Sequence, residues 1–213
     1  MIRFNLNLSL FLSLFFLAPF FGALQLMAFE EPKYSVITQL EKIEVRQYSE
    51  YLVAQAEITG SRDKAGSTGF NILAAYIFGK NQGDNNLAMT APVMQTENTQ
   101  IEITDDPLSQ PSIKADPQRW TVQFMMPSKY TLETLPKPKD PKVYFKWIPV
   151  KKMAAVTYSG RWTESNYQEH LDLLTQELKK AKIKSKGVPL WARYNSPFTP
   201  WFLRKNEILV EVE

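Results

Sequence analysis

The sequence of 213 residues contains no cysteine and a single histidine. Without thiols there are no disulfides, iron–sulfur clusters, thiolate zinc sites or cysteine nucleophiles. One imidazole excludes an intramolecular multi-histidine metal site. A large excess of one sign of charge is also missing, with 25 Lys and Arg against 22 Asp and Glu. The formal net charge is +3, and Arg3 is the only charged residue among the first 28, so the remainder carries +2. A near-neutral chain presents no basic face for the many phosphate contacts that nucleic acid requires. The clusters Lys137-Lys139-Lys142, Lys179-Lys180 and Lys182-Lys184-Lys186 read as solvated loops or helix ends. The sequence has no P-loop, no dinucleotide-binding glycine pattern and no Gly-x-Ser-x-Gly elbow, and periodicity brings no two carboxylates together. What remains is a chain with 44% hydrophobic residues, long enough to bury one full core without a disulfide.

Met1-Ile2-Arg3 is a short positive start to a run dominated by Phe and Leu from Phe4 to Leu24. Asn5, Asn7, Ser9 and Ser13 interrupt the run, and Pro19 and Gly22 break it. Leu26-Met27-Ala28 supplies a small residue at a cleavage position, and the polar Glu30-Glu31-Pro32-Lys33 follows soon after. This order predicts a signal peptide over residues 1–28 and a mature domain over 29–213. An exported chain without cysteine points to a bacterial periplasm. The alternative is a retained N-terminal segment that anchors the protein to a membrane.

Alternation predicts strands at 43–46, 51–58, 88–96, 100–104 and 120–126, with a helix over 67–78 and a proline-bearing loop over 105–117. Pro136, Pro138 and Pro141 form a stiff connector. Beyond it the order recurs, with strands at 143–149 and 153–159, Gly160, a helix over 163–181, and strands at 190–194 and 207–212. Two strands, a glycine, a helix and further strands thus appear twice, over about 34–135 and 140–213. Neither half looks able to close a sheet around its own helix. The expected class is a single α+β domain with two related halves.

His170 falls beside the stripe Leu171, Leu174, Leu178 and Ala181 of the second helix. That placement suits a boundary histidine, and a heme-iron ligand is the functional alternative, since one imidazole suffices. On the first helix, Gly69, Ile72, Leu73 and Tyr76 share one side, while Ser67, Asn71, Ala74, Ala75 and Phe78 share the other. The second side is either core or a shallow apolar floor for a flat ligand. Met89, Met94, Met125 and Met126 suit gap-filling in a core, an adaptable ligand surface or heme ligation. The stretch from Tyr194 to Phe202 carries aromatic rings and prolines in a loop, so it either packs on the sheet or lines a pocket.

Several segments together resemble the SOUL heme-binding protein family. They are Gly69-Phe70-Asn71-Ile72-Leu73 with Tyr76-Ile77-Phe78-Gly79-Lys80-Asn81; Met89-Thr90-Ala91-Pro92-Val93; Phe124-Met125-Met126-Pro127-Ser128-Lys129-Tyr130; Leu135-Pro136-Lys137-Pro138; and Ala192-Arg193-Tyr194-Asn195-Ser196-Pro197 through Trp201-Phe202-Leu203-Arg204-Lys205-Asn206-Glu207. The resemblance spans about residues 34–213. It implies an α+β fold, a pseudo-twofold distorted β-barrel flanked by two helices and akin to GyrI-like small-molecule-binding modules. It also implies binding of heme or another porphyrin in an apolar cleft formed by Ser67, Asn71, Ala74, Ala75 and Phe78, together with Thr199, Trp201 and Phe202.

The sequence departs from that pattern in places. Gln47, in Val45-Arg46-Gln47-Tyr48, occupies the position where one branch of the family is thought to carry an iron-ligating histidine. Ser67, Ala75 and Thr199 stand where another branch places basic residues for the propionates. The expected function is a non-enzymatic heme or tetrapyrrole carrier. The alternatives are a binder of another planar hydrophobic molecule, an interaction domain, and a hydrolase or tetrapyrrole-modifying enzyme. For an enzyme, Glu207, Arg193 and Tyr194 are the nearest acid–base candidates, and a Glu207–Arg salt bridge would count against it.

Overall fold

The computed structural model describes residues 29–102 and 112–213. The expected signal peptide, residues 1–28, lies outside the described residues, as do positions 105–111 of the expected loop. The elements are β1 (Tyr34–Gln39), β2 (Glu44–Tyr48), β3 (Tyr51–Thr59), α1 (Arg62–Ile77), β4 (Val93–Glu102), β5 (Ser112–Met125), β6 (Tyr144–Ile148), β7 (Lys151–Tyr158), α2 (Glu164–Lys180), β8 (Ser185–Arg193) and β9 (Asn206–Val212). A short 3₁₀ turn covers Trp201–Leu203.

The nine strands form one curled antiparallel sheet in the order β1-β2-β7-β9-β8-β4-β5-β3-β6. Exchanging β2 with β6, β3 with β7, β4 with β8 and β5 with β9 reproduces this order, apart from the extra edge strand β1. The pseudo-twofold axis therefore runs between β4 and β8, which pair Val93 with Arg193 and Thr96 with Leu190. Each half lends its first strand to the other, so that β2 pairs with β7 and β6 with β3. That exchange is why neither half closes a sheet alone. The helices obey the same symmetry, α1 packing on β3 and β5, and α2 on β7 and β9.

Alternation along the strands gives the sheet two apolar faces. Leu52, Ala54, Ala56 and Ile58 of β3 join Val122, Phe124, Val156 and Ile208 beneath the helices. A smaller cluster of Tyr48, Val53, Met94, Ala155, Ala192 and Leu209 occupies the face turned away from them. Helix α2 matches its expected span closely. The Thr163 side chain accepts a hydrogen bond from the Asn166 amide, Lys179 and Lys180 occupy the last turn where they complement the helix dipole, and Tyr167, Leu174 and Leu178 are buried.

Helix α1 begins at Arg62, five residues before the expected start. Gly66 and Gly69 weaken its helical signature, since glycine is a poor helix former. Packing explains their presence. A Cβ on Gly69 would lie 2.5 Å from Val122 Cγ2, so the helix approaches β5 too closely for any side chain there. Gly79, with φ of 101°, ends the helical segment just beyond Phe78. The expected strand 88–96 begins only at Val93, after Pro92, which has no amide to donate. Residues 112–117, expected in a loop, belong to β5 and pair with β4 from Glu102↔Ser112 to Asn98↔Asp116. The register then shifts between Glu97 and Asn98, and Pro117 falls in that irregular stretch, where a missing amide is tolerated.

Candidate functional site

The outer side of α1 is not covered. Ser67, Thr68, Asn71 and Phe78 are exposed, Phe70, Ile72 and Ala75 are half-buried, and Ala65, Leu73, Ala74 and Ile77 face the core. Two clefts flank this open side. One, of about 340 Å³, lies between the first half of α1 and strands β4, β5 and β8; Ser67, Phe70, Asn71, Val122, Trp162 and Arg193 are among its walls. The other is a more open groove of about 570 Å³ with Asn71, Ala75 and Tyr76 on one side and Lys80 and Lys139 at its rim.

Arg193 is the chemically distinctive group of the first cleft. It ends β8, its guanidinium stands over the Trp162 ring at 5.1 Å, and no carboxylate among the described residues pairs with it. Burial pulls its pKa below the ordinary guanidinium range, a measure of the desolvation it bears. Beside it, the buried Gln95 Oε1 has no hydrogen-bond partner, while Gln95 Nε2 donates to the Arg62 carbonyl at 2.9 Å. A Cβ on Gly66 would sit 2.7 Å from that Oε1 and 3.6 Å from an Arg193 terminal nitrogen. The bare glycine therefore keeps the floor of the cleft open around a cation that forms no ion pair among the described residues and feels the Asp63 charge only from a distance. Phe70, packed at 5.5 Å against Phe124, and Val122 supply the apolar wall.

The structure distributes the expected site residues unequally. Ser67 and Asn71 line the first cleft, Asn71 and Ala75 the second, and Ala74 is buried in the core. Phe78 is exposed at the far end of α1, about 16 Å along the axis from Ser67 at 1.5 Å per residue. The C-terminal loop borders the first cleft through Asn195 and Pro197. Thr199, Trp201 and Phe202 do not line it: Thr199 accepts from Arg204 Nε at 2.8 Å, and Trp201 and Phe202 meet edge to face at 5.6 Å, both exposed. The residues that the sequence left out of the cleft are Phe70, Trp162 and, as its cation, Arg193. A cation ending a strand and followed by an aromatic-rich loop was the available signal.

His170 stands elsewhere. Its ring stacks on Tyr158 at 4.2 Å, and its Nδ1 donates to the Asn166 carbonyl at 2.7 Å, which fixes the proton on that nitrogen. It lines neither α1 cleft, and Gln47 faces Lys152 in the β2–β7 ladder.

Glu207 is buried and fully engaged. Arg46 donates to both carboxylate oxygens at 3.0 and 3.1 Å, Tyr194 at 2.6 Å and Thr157 at 2.9 Å. Burial pushes its carboxyl up, but the bonds and charge of Arg46 outweigh burial and hold it below the ordinary carboxylate range. Burial, and then the neighbouring carboxylate, raise Tyr194 far above the ordinary phenol range. The salt bridge that would count against an acid–base role is present.

Among the described residues, no group of three His, Cys, Asp or Glu side chains could hold a metal ion, and no helix is long and apolar enough to cross a membrane. The chain is similar to mouse Heme-binding protein 2, with 28% identity over 157 residues, 70% of this chain and 71% of the relative. Among solved structures it is similar to the EcmrR C-terminal domain, with a TM-score of 0.57 and 12% identity over 82% of this chain and 99% of that one. A hydrolase from Listeria innocua shares the fold with a TM-score of 0.52 and 12% identity, covering 83% and 94% of the two chains. At such identities these two structures speak for the fold alone, a GyrI-like curled sheet with two helices. The model of the SOUL heme-binding protein family matches residues 29–211, and the chain belongs to that family.

Proposed function

We propose that this protein binds heme or a related tetrapyrrole without catalysing its conversion, and holds it in the cleft between α1 and strands β4, β5 and β8. The observation that carries this reading is Arg193: a guanidinium with no carboxylate ion pair among the described residues, set among Phe70, Val122 and Trp162. An apolar wall beside a cation that lacks an ion pair among the described residues suits a flat hydrophobic ring edged with carboxylates. Family membership and the similarity to Heme-binding protein 2 support the same ligand class.

The cleft fits the ring and a propionate better than it fits the iron. Among the described residues, no His, Met or Tyr side chain lines it, so they offer the metal no side-chain ligand of the usual kinds there. Heme, when bound, brings its own redox and gas-binding chemistry. The chain contributes apolar burial through Phe70 and Val122 and a charge-assisted contact from Arg193. Removing several hundred Å² of apolar ligand surface from water, at ~25 cal/mol per Å², is worth on the order of 5–10 kcal/mol before association costs. Set against those costs, apolar burial alone stays far short of picomolar affinity, and the Arg193 contact must add to it. The saturated Glu207 supports the non-enzymatic reading, because its carboxylate is committed to Arg46 and Tyr194. We further read residues 1–28 as a signal peptide that exports the protein to a bacterial periplasm.

A hemin titration followed through the Soret band tests the ligand. A saturable one-to-one change that weakens about tenfold in Arg193→Gln is the expected result. Absence of saturable change with hemin and with protoporphyrin alike would overturn the reading.

A further inference from the structure

The sheet face turned away from both helices holds a cavity of about 290 Å³, separate from both α1 clefts. Its size lies at the lower end of small-molecule pockets, roughly 300–1,000 Å³. The floor is built from the second apolar cluster, where the small Ala155 and Ala192 lie among Tyr48, Met94 and Leu209. Met94 and Met153 give the lining the adaptability of thioether side chains.

Charge is arranged by depth. Lys146, Lys151 and Lys186 line the cavity against one carboxylate, Glu211. Lys151 and Lys186 share that carboxylate at 2.7 and 2.9 Å, and Lys146 has no ion pair among the described residues. The lysines therefore leave a net positive rim. The floor offers no compensating anion for a cationic guest, because Glu207 is neutralised by Arg46 and takes the Tyr194 hydroxyl as a donor. The Tyr48 hydroxyl likewise accepts from Arg46 at 3.0 Å. An apolar floor with no free carboxylate among the described residues, beneath a cationic rim, selects a guest that is apolar at one end and anionic at the other.

We propose that this cavity is a second binding site, for a small amphiphile with an apolar body and a terminal carboxylate, which the rim lysines receive. Its volume suits a medium-chain acid or a small aromatic acid better than a whole macrocycle. The site is independent of the α1 cleft, which opens on the other face of the sheet.

Calorimetric titration of the full chain with dodecanoate, 2-naphthoate and dodecyltrimethylammonium, below their micellar ranges, tests the proposal. Saturable one-to-one binding of an acid is expected, at least tenfold tighter than the ammonium of equal chain length. The tighter of the two acids identifies the guest as chain or ring. Lys146→Glu combined with Lys186→Glu changes two exposed side chains and should weaken the acid at least tenfold. Leu190→Trp, which fills the cavity from its partly exposed wall, should abolish binding. Arg193→Gln should leave the acid unaffected while it weakens hemin, so the two sites fail separately. No saturable binding of either acid, equal binding of the ammonium, indifference to the lysine changes, or loss in Arg193→Gln without loss in Leu190→Trp would each overturn the proposal.

Discussion

Arg46 on β2 and Glu207 on β9 meet across the intervening strand β7 in a two-pronged ion pair of 3.0 and 3.1 Å, although 161 residues separate them in the chain. Both side chains are almost wholly buried. The pair crosses from one half of the fold to the other and helps tie the exchanged strand β2 into the second half. Removing one partner leaves the other charge buried and uncompensated. Glu207→Gln should therefore destabilise the fold by roughly 3–5 kcal/mol in denaturant unfolding while hemin affinity of the folded fraction stays within about twofold. A loss of affinity at unchanged stability would assign Glu207 to ligand chemistry instead.

The same pair sets an acid limit. The Glu207 carboxyl is held below its ordinary value in the folded protein despite its burial. A depressed carboxylate contributes stability that is fully present above the unfolded value, near 4.5, and is lost as pH falls through the folded value. Glu211 is depressed too, since the Lys151 and Lys186 hydrogen bonds overcome the opposing effect of burial. Stability measured against pH should fall below about pH 4.5, and the fall should be shallower in Glu207→Gln. An identical slope in the variant would mean that other carboxylates govern the acid transition.

Gly69 lets α1 lie against Val122 at a distance no Cβ can share. Gly69→Ala would normally favour a helix, but here the methyl must displace α1 from β5. A net loss of about 1–3 kcal/mol in thermal or chemical unfolding is expected, with weaker hemin binding, because Val122 also lines the cleft. A stabilised variant would contradict the packing.

His170 stacks on Tyr158 away from both α1 clefts. His170→Ala should leave the hemin-dependent Soret change in place and reduce stability by about 0.5–1.5 kcal/mol through the lost ring contact. Disappearance of the Soret change would make His170 the iron ligand.

Much of this architecture was legible in the sequence. The stripe of Leu171, Leu174 and Leu178 and the recurring order of strands, glycine and helix pointed to α2 and the two halves, because both are encoded by local pattern. The start of α1 was hidden by Gly66 and Gly69, whose reason lies in contacts with Gln95 and Val122 far along the chain. Residues 112–117 read as loop because the pairing of β5 with β4 satisfies its backbone whatever its composition. On the site, Ser67 and Asn71 were placed by the helical wheel and by family resemblance. Arg193 escaped as the cleft's cation because the lack of an ion pair among the described residues shows only in three dimensions. Arg46 escaped for the same reason: on a strand with Ile43 and Val45 pointing one way, it reads as a solvent-facing charge until the second apolar face of the sheet is known.

The most direct test maps the ligand. Backbone and indole chemical shifts recorded while diamagnetic gallium protoporphyrin is added report every surface it touches. The account predicts changes at Ser67, Phe70, Asn71 and Arg193 and at the Trp162 indole, with Tyr51, Met153 and Leu190 on the opposite face undisturbed. Changes confined to that opposite face, with α1 silent, would contradict it.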